Sequence, residues 1–166
     1  MNGKKLAFIV ISAVIVLAIA FSVFAFFAPG DFRRAKWGMS QNQVRARENL
    51  ELKNETSSSL VYELTELEGV KFHSLVHYNF DSYAEGLTHV TIGINASGFE
   101  DKLIARLIKA FEKNYGEADE YTADDTVRNY YWNLPRTGIN IRQLSSYVLI
   151  TYKNINLSAE GTPVAP

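Results

Sequence analysis

The chain has 166 residues, no cysteine, and 17 basic against 18 acidic side chains for a formal charge of −1. The missing thiols exclude disulfide staples, thiolate chemistry and a lipid carried on a processed N-terminal cysteine. Apart from a group at residues 33–47 the basic residues are scattered, which excludes a nucleic-acid footprint.

First in the chain comes Leu6–Ala28, LAFIVISAVIVLAIAFSVFAFFA, which carries no charge and only Ser12 and Ser22 as polar side chains. As a helix it would reach about 34 Å, against a hydrocarbon core of about 30 Å. Residues 1–28 therefore predict an N-terminal transmembrane helix. Lys4, Lys5 and Val23-Phe24-Ala25 also fit a cleaved signal peptide; the length of the run and the bulky Phe26 and Phe27 favour the anchor. Basic residues on both sides leave the positive-inside rule nearly balanced. Ser12, Ala13, Ala18, Ala20 and Ser22 would permit close approach of another membrane helix.

Pro29 and Gly30 end that segment, and residues 29–39 read as a juxtamembrane connector. Within it, Arg33, Arg34, Lys36 and Trp37 are candidate contacts with anionic lipid headgroups. The plainer reading makes Trp37 a lid on one end of the core. Ser40 and Gln43 form a capping box, with Met39 and Val44 as its staple, and predict a helix over Gln41–Asn49.

Three strands are expected next: Leu60–Leu67, Val70–Phe80 after a tight Glu68-Gly69 turn, and Leu87–Asn95. In the second, Val70, Phe72, Ser74, Val76, Tyr78 and Phe80 share one face, with Lys71, His73, Leu75, His77 and Asn79 on the other. Ser97 and Glu100 open the clearest helix, whose stripe runs through Phe99, Leu103, Ile104, Leu107, Ile108, Phe111 and Tyr115 and which stops at Gly116. After an acidic loop come Thr126–Leu134, Ile139–Leu144 and Tyr147–Lys153. These elements predict an α+β fold, an antiparallel-sheet domain over 40–157 in α-βββ-α-βββ order with its helices on one face. Residues 158–166 read as a disordered tail.

The run Trp37-Gly38-Met39-Ser40 followed by Val44, within FRRAKWGMSQNQVRARE (Phe32–Glu48), resembles the opening element of small bacterial cell-envelope domains. These are the β-lactamase-inhibitor-protein fold and the BamE-like small lipoprotein of the outer-membrane assembly machine. The resemblance implies a helical piece packed on antiparallel sheet, sometimes in tandem, with protein binding as the activity and no catalytic residues. This chain lacks the lipid-attachment cysteine of the lipoprotein members.

Candidate chemistries are thin. His73 and His77 lie about 13 Å apart along one strand face, too far for one ion. Pairing Tyr78 with Val90 would make His77 and His89 diagonal neighbours within about 8 Å, still two ligands without a third. Glu117, Asp119, Glu120, Asp124 and Asp125 lack the order of a calcium loop. There is no nucleophile elbow and no phosphate-cradling glycine loop, so neither an enzyme nor a cofactor is expected.

Aromatic residues crowd the last strands, and adjacent Tyr130, Tyr131 and Trp132 cannot all point inward. Together with Tyr147 they are the candidate partner-binding residues. The sequence reads as a membrane-anchored, non-enzymatic interaction module or accessory subunit of a bacterial inner-membrane complex, single-pass, with an extracytoplasmic domain that binds another envelope or membrane protein. The alternative is a small-ligand or lipid-binding domain that uses the sheet face near His77 and His89.

Overall fold

Apolar residues at every second position build one antiparallel sheet with a single buried face. The computed structural model describes residues 31–82, 86–97 and 100–156. Helix α1 (Gln41–Arg47) is followed by β1 (Leu52–Glu55), β2 (Ser59–Leu67), β3 (Val70–Asp81) and β4 (Gly86–Asn95). Helix α2 (Glu100–Tyr115) is followed by β5 (Glu120–Ala123), β6 (Arg128–Asn133), β7 (Thr137–Leu144) and β8 (Tyr147–Asn154). The strand order is β1-β2-β3-β4-β8-β7-β6-β5. Each half is thus one helix and four strands, and the halves join by pairing their last strands.

The expected fold class is corrected on two counts. Each half has four strands rather than three, because β1 and β5 form the two edges of the sheet. Both are four residues long and exposed throughout, so neither shows the alternation that marks a half-buried strand. Short, charged edges of this kind also resist pairing with other chains. Second, no helix among the described residues is long and apolar enough to cross a membrane. The transmembrane helix expected over 1–28 and the tail over 158–166 lie outside the described residues, as does Phe99 of the expected α2 stripe.

Cross-strand register explains the core. One row runs Leu60, Tyr78, Val90, Tyr152, Ile139, Trp132 across six strands, and a second runs Tyr62, Val76, Ile92, Ile150, Ile141, Tyr130. Val44 of α1 and Ile104, Leu107 and Phe111 of α2 belong to the same buried cluster. Ser40 caps α1 through a reciprocal capping box with Gln43. Gly116 ends α2 in the left-handed region, at φ +88°, and its N–H donates to the Glu112 carbonyl.

Residues 31–39 are not a free connector. The compact unit begins at Asp31, and Phe32, Ala35 and Trp37 are core residues. Phe32 packs against Tyr152 and edge-on against Tyr78, with ring centroids 4.6 and 5.7 Å away. The backbone of Gly38 and Met39 pairs with Leu87. A side chain at the neighbouring Gly86 would collide with the Gly38 backbone. The segment has neither helical nor strand periodicity because Phe32–Ala35 is a tight turn, with Arg33 at φ +52°.

Trp132 is buried, with its indole N–H donating to the Gly116 carbonyl at 2.9 Å. Trp132→Ala should therefore cost about 3–5 kcal/mol of stability through the cavity it leaves, measurable as a lower denaturant midpoint. A loss below about 1 kcal/mol would contradict its place in the core.

Candidate functional site

Among the described residues, no helix covers the sheet face opposite α1 and α2. Its rows run Glu63, Leu75, Gly93, Leu149, Arg142 and Val61, His77, Thr91, Thr151, Asn140. At the centre, strands β3, β4 and β8 form an open groove of about 430 Å³ lined by His73, Leu75, His77, Asn95, Tyr147 and Leu149 around Gly93. Leu75 is 43% and Tyr147 41% exposed, two of the four large apolar side chains left open to solvent among the described residues. The others, Leu52 and Tyr121, belong to the separated edge strands.

Gly93 shapes the groove because it lacks a side chain. The Tyr147 hydroxyl occupies the place its Cβ would take, so the ring leans across β4 and walls the depression. The position is partly structural, since an aromatic ring shielding a strand glycine stabilises sheet pairing.

The sequence-selected aromatic residues do not form one patch. Trp132 is a core residue, since it faces Ile139 on the covered side and cannot act as a surface anchor. Tyr130 shares that side, half-buried, with its ring 4.8 Å from that of Tyr121. Tyr131 is half-buried and lies opposite Asn140 on the open side. Only Tyr147 lines the groove. Leu75 and Leu149 were missed, although Leu75 stands alone as an apolar residue among Lys71, His73, His77 and Asn79, a signal present in the sequence.

The juxtamembrane candidates are also redistributed. Trp37 is buried, and its indole N–H donates to Thr137 Oγ1 at 3.0 Å, which removes it from the lipid-facing set and leaves it as a lid on the core. Arg33 points its Nε at Glu48, 3.3 Å away. Arg34 is exposed and Lys36 half-buried. Asp31 accepts from the Trp37 amide at 2.8 Å and pairs with Arg136 at 3.3 Å.

Tyr78 lies opposite Val90 and Asn79 opposite His89, so His77 and His89 are diagonal neighbours as the alternation requires. Among the described residues, no three His, Cys, Asp or Glu side chains are arranged to hold a metal ion. In the acidic loop the Asp124 carboxylate accepts from the Thr126 amide and hydroxyl and from the Val127 amide, at 2.8–2.9 Å. Those bonds hold its carboxyl below the usual range and turn it into its own loop.

Two carboxylate–phenol contacts brace the core. Tyr78 donates to the buried Glu48 carboxylate at 2.8 Å, and Tyr115 donates to Glu68 at 2.6 Å. Burial, reinforced by these carboxylates, pushes both phenols well above their ordinary value; burial does the same to Tyr152. Neither cluster adjoins the groove or contains a nucleophile–base pair.

No family model, curated protein or solved structure matches this chain.

Gly93→Ala is expected to displace the Tyr147 ring while leaving the core packed. In NMR spectra the Tyr147 ring resonances should move and the methyl signals of Ile92 and Ile150 should hold; an unmoved ring would contradict the groove geometry. A second expectation concerns alkali. Because the folded-state phenols of Tyr78, Tyr115 and Tyr152 are raised, their contribution to stability is complete below about pH 10 and falls as pH rises beyond it, where only the unfolded chain ionises. Phenolate absorbance from these residues should appear together with loss of the β-sheet signal. Their ionisation within an intact sheet would contradict the assignment.

Proposed function

We propose that this chain is a non-enzymatic interaction module of a bacterial envelope membrane, an accessory subunit that binds another envelope or membrane protein through the open face of β3, β4 and β8. The observation that carries the reading is the uncovered face itself, with Leu75 and Tyr147 exposed around an open groove. Exposed Tyr and aliphatic residues surrounded by polar neighbours suit a partner surface, since the apolar centre desolvates well and the polar rim sets orientation.

The apolar segment Leu6–Ala28 is the means of membrane attachment in this reading. In sequence, two residues separate its end from Asp31, where the compact unit begins. The resemblance of Trp37–Val44 to small envelope domains supports an extracytoplasmic position at the inner membrane and a protein-binding role. Arg34 and Lys36 stay candidate lipid contacts in this reading, whereas the polar groups of Arg33 and Trp37 are engaged within the domain.

A small-ligand or lipid-binding role is the second reading, favoured by a groove volume of about 430 Å³, which falls within the range of ligand sites, about 300–1,000 Å³. Its openness to solvent favours a protein partner, because small-ligand sites bury most of the ligand surface.

The test is co-purification from native membranes of the full chain and two double variants. Leu75→Asp with Tyr147→Asp should remove the bound partner while the sheet stays folded, at a stability cost of about 1–2 kcal/mol for the ring lost over Gly93. Leu52→Asp with Tyr121→Asp, at the other exposed apolar positions, should retain it. Loss in the second variant and retention in the first would overturn the proposal.

A further inference from the structure

Lys102, Arg106, Lys109 and Lys113 recur along α2 at intervals of four, three and four residues. At about 100° per residue they fall within about 60° of arc, and they run about 16 Å along the helix axis. All four are exposed. Ile104, Leu107 and Phe111, which join the core cluster, lie on the opposite side of the helix, so this basic stripe faces away from the sheet. Asp101 and Glu112 stand about a quarter turn off the stripe. Among the described residues none of the four cations is in an ion pair.

The arrangement works against the helix that carries it. Lys102 with Arg106, and Lys109 with Lys113, are like charges four residues apart, and each pair is destabilising. Lys102 also sits in the first turn of α2, where the helix dipole disfavours a cation. Local choices that oppose their own element are expected at functional surfaces. The open sheet face shows the contrast, since Lys53 is shared there by Glu51 and Glu63, and Glu66 lies opposite Lys71.

We propose that the α2 stripe lies on an anionic lipid surface. The inference rests on the membrane reading above and adds α2 to Arg34 and Lys36 as lipid contacts. No large apolar side chain is exposed on α2, so its convex outer face offers a protein partner no anchor, and lysine is depleted from protein interfaces. A layer of anionic headgroups needs no anchor. It collects exposed cations, each adding about fivefold to binding. Because α1 and α2 pack on the same sheet face, seating the stripe on lipid turns the face of β3, β4 and β8 away from the bilayer and towards a partner.

The full chain has no native thiol, so nitrobenzoxadiazole can be attached at Ala105→Cys beside the stripe or at Thr122→Cys on β5, both exposed positions. The labelled chain is combined with vesicles bearing nitroxide headgroups, made of phosphatidylcholine alone or with about one third phosphatidylserine. Position 105 should be quenched with phosphatidylserine and not without it, and position 122 with neither. Salt at about 1 M should abolish the quenching, as should Lys102→Gln/Arg106→Gln/Lys109→Gln/Lys113→Gln. Glutamine matches lysine and arginine in helix propensity, so the circular dichroism of that variant should hold. Lys109→Gln alone should lower the ratio of docked to undocked chain about fivefold.

Quenching at 105 that is no greater with phosphatidylserine overturns the inference, and a response to soluble polyglutamate in its place assigns the stripe to an acidic protein. Quenching that survives the four substitutions, or that is equal at 122, overturns the stripe as the seat. Flotation with phosphatidylcholine vesicles reads membrane attachment separately. A chain that fails to float there, yet is quenched at 105 with phosphatidylserine, overturns attachment through Leu6–Ala28 and leaves the stripe standing.

Discussion

The pairing of β4 with β8 is the constraint on which the rest of the structure depends. Seven consecutive residue pairs, His89–Lys153 through Asn95–Tyr147, join the two α-ββββ halves. Because side chains alternate across a strand, one register decides both faces together. Val90, Ile92 and Ile94 meet Tyr152, Ile150 and Val148 in the core, while Thr91, Gly93 and Asn95 meet Thr151, Leu149 and Tyr147 in the groove. A slip of one residue would bury the polar set and expose the apolar one, so the groove is specified by the same apolar burial that holds the fold together.

A second constraint fixes the start of the domain. Asp31 and Trp37 send polar groups to the adjacent Arg136 and Thr137 at the start of β7, and Arg33 sends its own to Glu48 after α1. Phe32 and Trp37 supply apolar burial between these polar ties. The Trp37–Thr137 bond is buried and costly to leave half made, and together with Phe32 it docks the segment on the core.

Strands with one face covered were legible from their alternation, including the placing of Tyr78 opposite Val90. The edges β1 and β5 were not legible, because a strand exposed on both faces has no period. The strap over residues 31–39 was partly readable: Trp37 was read as a lid on the core, whereas Phe32 and Ala35 are buried from within a turn that has no period. Trp132 was misjudged because alternation among Tyr130, Tyr131 and Trp132 says only that neighbours diverge. Which residue turns inward is set by Ile139 across β7, a contact that emerges only with the register. The groove was half legible: the polar face of β3 and Tyr147 stood out, whereas Gly93 and Leu149 acquire meaning only once β4 and β8 lie side by side.

The fold therefore separates its tasks. Two helices and the strap close one face into a core, short exposed strands guard the edges, and the second face stays open around a glycine-floored groove. On our proposal, another protein docks on this open face. A photo-crosslinking residue placed at Leu149 in the groove, compared with one at the exposed Arg106 of α2, tests that claim in native membranes. The account predicts a discrete adduct from position 149 and none from position 106; an adduct from 106 alone would contradict it.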